Sequence, residues 1–263
     1  MRREMLRRKY NIRTIKTYLY CVKQFLKQNH KDVRKYSKKD IKEYLYNLQE
    51  KRLSVSTINV NLQALKFMME NVLHKPGYIR IKFSKNENRK RFPEALTQEE
   101  IKKLFSVIEN KKHLLMVKLM YSAGLRVSEL LNLKAEDFDF ENGVGLVKKG
   151  KGNKDRYFII ANSLKEELKE YIKNKNGLVF EGAKGKLSVR TIQEILKKAS
   201  KKAKIKHVHL HMLRHSFATH LLENGTDLIS VQSLLGHNSA ETTMIYARMV
   251  NPKITSVKSP LDG

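Results

Sequence analysis

The first ninety residues of the chain contain a single glycine, Gly77, and their apolar residues recur at the three- and four-residue spacing of amphipathic helices. Three such segments follow one another: one over about residues 12–29, a second that begins at Ser37, and a third that begins near Ser54 and ends before Pro76. Consecutive short helices with charged outer faces pack as a small bundle. This part of the chain is therefore predicted to be entirely helical.

After this segment the pattern includes both helices and short strands. Thr97 and Glu100 have the spacing of a capping box, which predicts a helix that begins there. Further helices are predicted over about residues 112–123, 163–174 and 188–203. Short apolar segments predict three strands, at residues 138–140, 143–147 and 156–160. The glycines between the last two strands suit a hairpin turn.

These patterns define an expected fold class and expected domain limits. We expect a mainly α-helical protein with a small antiparallel β-sheet. A helical-bundle domain is predicted over residues 1–84, a basic linker over residues 85–93, and a mixed α/β domain over residues 94–263. The linker is assigned because that stretch is polar, basic and without periodicity, and it ends at a proline.

The charge of the chain is strongly positive and unevenly distributed. The net charge is +28, and residues 1–91 carry 25 lysines and arginines against seven acidic residues. A lysine-rich solvated surface can explain a mild excess of this kind, but a basic surface of this size favours a nucleic acid, because neutralised phosphates release condensed counterions. With 41% hydrophobic residues the chain can also bury a core, so it is not a disordered polycation.

The cellular compartment is predicted from what the sequence lacks. Cys21 is the single cysteine, which excludes disulfides within the chain and a cysteine-rich zinc site. No apolar run approaches the roughly 20 residues that span a bilayer. The basic N-terminal residues are not followed by the apolar stretch of a signal peptide. We therefore expect a cytoplasmic protein without a membrane partner.

Candidate reactive residues are concentrated near the C-terminus. His211 and Arg214 are three residues apart, so on a helix they share one face. A later predicted helix has Asp227 as its N-cap and ends at Gly236, which places His237 at a helix end. Tyr246 follows nine residues further on. Two histidines, an arginine and a tyrosine would suit an anionic phosphate and a nucleophile.

The histidines of this region also suggest a metal site. His207, His209, His211 and His215 lie within nine residues. A zinc-binding His-Glu-x-x-His pattern would need glutamate at the position of Met212, and no carboxylate-rich stretch offers a third ligand. We therefore expect no catalytic metal.

Five segments together resemble the tyrosine recombinases, in particular the Xer branch, which resolves chromosome dimers, and related phage-type integrases. The matching segments are Gly-Leu-Arg-Val-Ser-Glu-Leu at 124–130, Gly-Lys-Gly-Asn-Lys at 150–154, His-x-Leu-Arg-His at 211–215, Leu-Leu-Gly-His at 234–237, and Tyr246. The resemblance covers the whole chain. It implies an N-terminal core-binding domain that contacts DNA, followed by a catalytic domain.

The resemblance implies how the scissile phosphate is bound and how the leaving group is protonated. Arg126 and Arg214 are expected to bind the non-bridging oxygens of the phosphate. Lys151 is expected to protonate the leaving 5′ oxygen. His211 and His237 are expected to donate hydrogen bonds to the phosphate and to handle the proton of the nucleophile.

The resemblance also implies the nucleophile and its supports. Tyr246 is expected to attack the phosphorus and form a 3′-phosphotyrosyl link, while Glu129 and His215 support the residues that contact the phosphate. An aryl phosphodiester keeps the bond energy for rejoining, so neither ATP nor any other cofactor is required. Two arginines can stabilise the charged transition state without a metal.

The implied function is site-specific DNA recombination by strand cleavage and rejoining, with chemistry like that of type IB topoisomerases. Chromosome-dimer resolution, which serves chromosome partition and cell division, is the expected role. The alternatives are a mobile-element integrase with the same chemistry, a monomeric topoisomerase, and a non-catalytic DNA-binding relative. The complete set of six reactive residues favours an enzyme, since a purely structural relative would be free to lose some of them.

The implied partners are double-stranded DNA with inverted-repeat half-sites and further copies of the same chain. Recombination between two duplexes needs four active sites, so a homotetramer on DNA is expected. The tail over residues 250–261 includes Ile254, Val257 and Leu261 and is apolar enough to dock on a neighbouring subunit.

Overall fold

The computed structural model describes residues 1–28, 31–75, 94–148, 155–183 and 185–236. The chain divides into two compact units, Met1–Lys90 and Arg91–Gly263. The limits of the predicted linker stay a prediction, because residues 76–93 lie outside the described part of the chain. Within the described ranges, no helix has the length and apolar character that crossing a membrane requires.

The first unit is built from helices alone within the residues that the structure describes. They are α1 (Arg2–Arg7), α2 (Ile12–Gln28), a 3₁₀ turn (Val33–Lys35), α3 (Lys38–Glu50), α4 (Val55–Phe67) and a π-helical turn (Met68–Val72). The apolar faces of α2, α3 and α4 meet in a core that includes the fully buried Phe25, Leu45 and Leu65. The predicted helical bundle is confirmed.

A capping box determines where α3 begins. The Asp40 carboxylate accepts hydrogen bonds from the backbone N–H and the hydroxyl of Ser37, each at 2.7 Å. The Ser37 hydroxyl in turn accepts from the Asp40 N–H at 3.3 Å. The ammonium group of Lys31 also donates to Asp40, whose side chain is almost fully buried. The helix starts at Ser37, as the sequence predicts, because these bonds satisfy backbone donors that a helix leaves unpaired.

The second unit combines helices with two small antiparallel sheets. Its helices are α5 (Gln98–Ser106), α6 (Lys111–Ser122), α7 (Val127–Leu130), α8 (Asn162–Ile172), α9 (Val189–Lys202), α10 (Leu210–Glu223) and α11 (Leu228–Leu235). Its strands are β1 (Phe138–Asp139), β2 (Val144–Val147), β3 (Arg156–Ile159), β4 (Glu181–Gly182) and β5 (Gly185–Lys186). The predicted mainly helical fold with a small antiparallel sheet is confirmed.

The larger sheet has the order β1-β2-β3, and its register places β3 against the core. Gly145 lies opposite Phe158, and Val147 lies opposite Arg156. A Cβ atom on Gly145 would come within 2.2 Å of the Phe158 ring, so this close approach requires glycine. Phe158 is fully buried, and side chains two residues apart on a strand share a face. Arg156 is therefore on the inward face of the sheet.

Candidate active site

Arg214 connects three segments of the second unit. It lies on α10 and is buried, because its neighbours Met212 and Leu213 pack into the core. Its Nη1 donates to the carbonyl oxygen of Gly124, after α6, and its Nη2 donates to the carbonyl oxygen of Leu235, at the end of α11. Because two carbonyls orient it, this guanidinium has a fixed position.

Arg126 is placed by the start of α7. It is the N-cap residue of that short helix, and its backbone N–H donates to Glu129 Oε2 at 2.9 Å. Its Nη1 donates to Glu129 Oε1 at 2.7 Å. The arrangement is a capping box in which the acid also binds the capping residue's own side chain. The Arg126 side chain remains 19% exposed, so part of its guanidinium faces solvent.

Glu129 is buried and is surrounded by three guanidinium groups. Besides its bonds from Arg126, its Oε2 accepts from Arg156 Nη2 at 2.7 Å and lies 3.9 Å from Arg214 Nη1. Burial raises the pKa of the Glu129 carboxyl, but the charge of Arg156 and hydrogen bonds from Arg126 and Arg156 outweigh burial and lower it. Glu129 is therefore ionised, and one carboxylate balances three guanidiniums.

The site therefore has a positive charge in excess of what its own carboxylate neutralises. We call Arg126, Glu129, Arg156 and Arg214 the arginine cluster. Its formal charge is +2. Arg126 is its most exposed member, with 19% of the side chain exposed, whereas the side chains of Arg156 and Arg214 are 8% and 5% exposed. Guanidinium groups of this kind suit the oxygens of a phosphate, because they offer two donors in one plane.

Two histidines on α10 lie next to the cluster and are both neutral at pH 7. Partial burial lowers the pKa of His211, and the charges of His209, Arg214 and Arg126 lower it further. Burial, followed by the charges of His211, His209 and Arg214, lowers the pKa of His215 to about 4. The two rings lie 6.3 Å apart, and His211 is exposed. A neutral, exposed imidazole beside two guanidiniums can accept a proton or donate a hydrogen bond to an anion.

Helix α11 ends next to the cluster. Asp227 caps its first turn by accepting from the Ser230 N–H at 2.9 Å, and Gly236 ends it in the left-handed conformation with φ of 59°. The predicted helix from Asp227 to Gly236 is confirmed. A Cβ atom on Gly236 would come within 2.7 Å of Arg156 Cδ, so this position requires glycine for two independent reasons.

Five of the eight predicted site residues lie in the described part of the chain, and the structure brings them together. They are Arg126, Glu129, His211, Arg214 and His215. The other three, Lys151, His237 and Tyr246, lie outside the described residues, as does the tail at 250–261. Their roles stay predictions.

Arg156 is a member of the cluster that the sequence patterns did not identify. It begins β3, five residues after Lys151 in the chain. A single arginine at the start of a strand does not by itself indicate a functional residue. A usable signal was nevertheless present. Arg156 has the same strand parity as Phe158 and Ile160, which are apolar and buried, so the alternation places it inward.

The histidine-rich segment offers no metal site within the ranges that the structure describes. No group of three or more histidine, cysteine, aspartate or glutamate side chains there has an arrangement that could bind a metal ion.

Comparison with known proteins identifies relatives over most of the chain. Residues 94–251 match the model of the phage integrase family, and residues 1–77 match that of the phage integrase N-terminal SAM-like domain. Tyrosine recombinase XerA of Pyrococcus furiosus is 41% identical over 247 residues, which cover 90% of this chain and 83% of that protein.

Two solved structures are also similar. A XerH site-specific recombinase bound to its difH substrate is 28% identical with a TM-score of 0.74, over 91% of this chain and 76% of that one. A XerA recombinase is 30% identical with a TM-score of 0.55, over 93% and 90%. The chain therefore belongs to the phage integrase family, and within it to the tyrosine recombinases close to the Xer branch.

Proposed function

We propose that the protein is a site-specific recombinase that cuts and rejoins DNA through a 3′-phosphotyrosyl link to Tyr246. The observation that carries this proposal is the arginine cluster, in which one buried carboxylate is surrounded by three guanidiniums next to the neutral His211. A cluster with a formal charge of +2 favours an anionic ligand. A DNA phosphate supplies one, and membership of the tyrosine recombinases agrees with it.

The proposed cleavage step transfers the phosphoryl group from sugar to protein. The Tyr246 oxygen attacks the phosphorus, the bond to the 5′ oxygen breaks, and the 5′ oxygen takes a proton from Lys151. Arg126 and Arg214 bind the non-bridging oxygens, whose negative charge grows in the five-coordinate transition state. Because these donors are already oriented by Glu129 and by backbone carbonyls, little reorganisation is needed when the charge develops.

His211 is proposed to handle the proton of the nucleophile. A phenol has an ordinary pKa near 10, so Tyr246 must lose its proton as it attacks. Burial and the neighbouring positive charges lower the pKa of His211, so its ring is neutral at pH 7 and has an unprotonated nitrogen that can accept this proton. Rejoining is the reverse reaction, in which a 5′ hydroxyl attacks the phosphotyrosine and the protons return. Neither step consumes ATP.

The first unit is proposed to contribute DNA affinity. The outward face of α2 presents Arg13, Lys16, Lys23 and Lys27, all exposed and close to one line along the helix. Such a basic stripe suits a phosphate backbone. The proposed DNA partner has inverted-repeat half-sites and is bound by four copies of the chain on two duplexes. The biological role is proposed to be the resolution of chromosome dimers, with mobile-element integration as the alternative.

The decisive experiment is covalent trapping on nicked DNA, with candidate sites taken from the same genome. We expect the wild-type protein to form a denaturant-stable adduct with the 3′ end of the cut strand, also in excess EDTA. Tyr246→Phe should bind the same DNA and form no adduct. An adduct in the Phe variant would move the nucleophile to another tyrosine, and loss of the wild-type adduct in EDTA would indicate a metal-dependent reaction.

A further inference from the structure

The guanidinium group of Arg156 contacts two different segments of the second unit at once. Its Nη2 donates to Glu129 Oε2 at 2.7 Å, and its Nη1 donates to the carbonyl oxygen of Leu234 in the last turn of α11. Its side chain is only 8% exposed. Its aliphatic part lies against Gly236, the residue that ends α11. One side chain therefore joins α7, β3 and α11.

We propose that Arg156 is a positioning residue for the phosphate-binding arginines. It fixes Arg126 by orienting Glu129, and it fixes the end of α11, whose Leu235 carbonyl binds Arg214. Arg156 itself does not contact the substrate. The expected effect of Arg156 on DNA cleavage rests on the proposed function. Its effect on the orientation of Glu129 and of the end of α11 does not.

Charge balance argues against a purely structural role. Glu129 already has an ion pair with Arg126 at 2.7 Å, so a second close arginine is not needed to neutralise it. Burying another guanidinium costs desolvation, and Arg156 Nε is buried without a hydrogen-bond partner among the described residues. An apolar residue at this inward position of β3 would avoid both costs. The presence of an arginine here is explained if its function is to position Glu129 and the end of α11.

The chain connections of Arg156 give its position a wider consequence. It stands five residues after Lys151, and Gly236, which packs on it, directly precedes His237 in the chain. Gly236 is therefore bonded directly to one predicted reactive residue, and Arg156 itself is close in the chain to another. A change in Arg156 is expected to affect several reactive residues together rather than one.

The geometry also predicts that lysine cannot replace this arginine. A guanidinium reaches the Glu129 carboxylate with one nitrogen and the Leu234 carbonyl with another. A lysine ammonium is a single point of contact at the end of a flexible stem. Arg156→Lys should keep the charge beside Glu129 but lose the simultaneous bond to α11. Arg156→Met should lose both.

The first test measures geometry without DNA, on the full chain. Three charged groups surround the Glu129 carboxylate: Arg126 at the start of α7, Arg156 on β3 and Arg214 on α10. The pKa of Glu129 can be followed by carboxyl ¹³C NMR. We expect this pKa to rise in Arg156→Met and to stay low in Arg156→Lys. Amide hydrogen exchange over residues 228–236 should quicken in both variants. Arg190→Met, which removes an exposed arginine of α9, is the control and should change neither.

The second test measures cleavage on nicked DNA, with DNA affinity determined separately. In Arg156→Met the single-turnover rate should fall about 10–100-fold, the range seen when a supporting partner of a reactive group is lost. DNA affinity should stay within about twofold of wild type, since Arg156 does not contact the substrate. Arg156→Lys should recover only part of the rate, and Arg190→Met should cleave normally.

The outcomes separate this inference from the proposed function. Absence of an adduct with wild-type protein would contradict the proposed function, and the NMR and exchange measurements would still decide the role of Arg156. Unchanged Glu129 pKa and unchanged exchange in Arg156→Met would overturn the positioning role. So would normal cleavage in that variant, full recovery by lysine, or a loss confined to DNA affinity.

Discussion

Asp40 and Glu129 are buried carboxylates that each cap an α-helix, and they differ in how much positive charge surrounds them. Asp40 closes the capping box of α3 in the first unit, and Glu129 closes that of α7 in the second. Asp40 bonds to Ser37 and to one ammonium group, that of Lys31, which is itself more than half exposed. These contacts lower its pKa, with the hydrogen bond from Lys31 as the largest cause. The helix cap needs nothing more.

Glu129 has the same position in its helix but lies within reach of three arginines. Each additional buried guanidinium costs desolvation and conformational freedom, so the excess is not explained by capping. The difference is consistent with the proposed function, in which the cap of α7 also serves phosphate binding. The capping carboxylate orients one arginine through the helix start and, at the same time, orients others through space. The cluster keeps a formal charge of +2, which is the charge that the proposed function assigns to binding a phosphate.

The largest expected effect concerns a step that the arginine cluster cannot perform. A guanidinium keeps its proton at any usable pH, so the cluster cannot protonate the leaving 5′ oxygen, whose parent alcohol has a pKa of about 15–16. Lys151→Ala should therefore slow cleavage by about 10²–10⁴-fold, the usual contribution of a general acid. On DNA with sulfur at the bridging 5′ position the leaving thiol has a pKa of roughly 8.5, and the rate should largely recover.

The matched control for Lys151 comes from the cluster itself. Arg126→Ala should stay slow on the sulfur substrate, because its proposed contacts are with the non-bridging oxygens. Rescue of Arg126→Ala, or failure to rescue Lys151→Ala, would show that the two roles are assigned to the wrong residues. Cleavage rates of both variants on both substrates provide the measurement.

The next largest effect is expected on the cleavage rate when a basic partner of Glu129 is removed, and the basic partner of Asp40 provides the comparison. Loss of one preorganised donor to a charged transition state costs about 10²–10³-fold in rate. Arg214→Ala should show a loss of this size in single-turnover cleavage. Lys31→Ala removes the partner of Asp40 and should leave cleavage within about twofold, because the Lys31 ammonium is more than half exposed and its ion pair is screened by solvent. Equal losses of cleavage rate in the two variants would contradict the view that only the partners of Glu129 serve catalysis.

How much the sequence predicts depends on whether the determinant is local. Ser37 with Asp40 and Asp227 with Gly236 mark helix ends correctly, since capping involves residues within one turn of each other. The three-stranded sheet was also predictable from apolar segments. The β4–β5 hairpin, with two residues in each strand, was not, because two residues carry no periodicity.

The arrangement of the candidate site was predictable only in part. His211 and Arg214 could be placed on one helix face from their spacing, but their contact with Arg126 and Glu129 depends on how α10 packs near α7. Arg156 was missed because its partners are 27 and 78 residues away in the chain, and only strand alternation hinted that it lies inside. Long-range charge balance of this kind cannot be derived from local patterns.

The next effect is on stability rather than on rate, and it is expected when the capping carboxylates themselves are neutralised. Glu129→Gln removes the anion beside the buried guanidiniums of Arg156 and Arg214 and the partly exposed one of Arg126, and removal of one partner of a buried pair costs about 3–5 kcal/mol. Asp40→Asn keeps an acceptor for the Ser37 N–H and should cost about 1 kcal/mol. Urea unfolding of the full chain, followed by probes in each unit, measures both. Comparable costs would mean that the excess charge around Glu129 is well solvated.

The smallest expected effect is a pH dependence that should distinguish the two units. The pKa of His215 is lowered to about 4, chiefly by burial, whereas an unfolded histidine titrates near 6.5. Between these values the unfolded chain binds more protons than the folded one, so stability is complete above about pH 6.5 and falls as the pH drops. By pH 5 the loss in the second unit should be about 1–2 kcal/mol.

The first unit provides the contrast, because its buried acid responds in a different range. The pKa of Asp40 is lowered, so its contribution is present above about pH 3.8 and is lost only below that value. Hydrogen exchange at pH 7 and pH 5, corrected for intrinsic rates, should therefore quicken over residues 210–235 and not over residues 38–67. His215→Gln should remove most of the pH effect, because glutamine carries no proton to gain. If both units loosen equally between pH 7 and pH 5, or if the Gln variant behaves like wild type, burial of a neutral histidine is not what sets the acid response of the second unit.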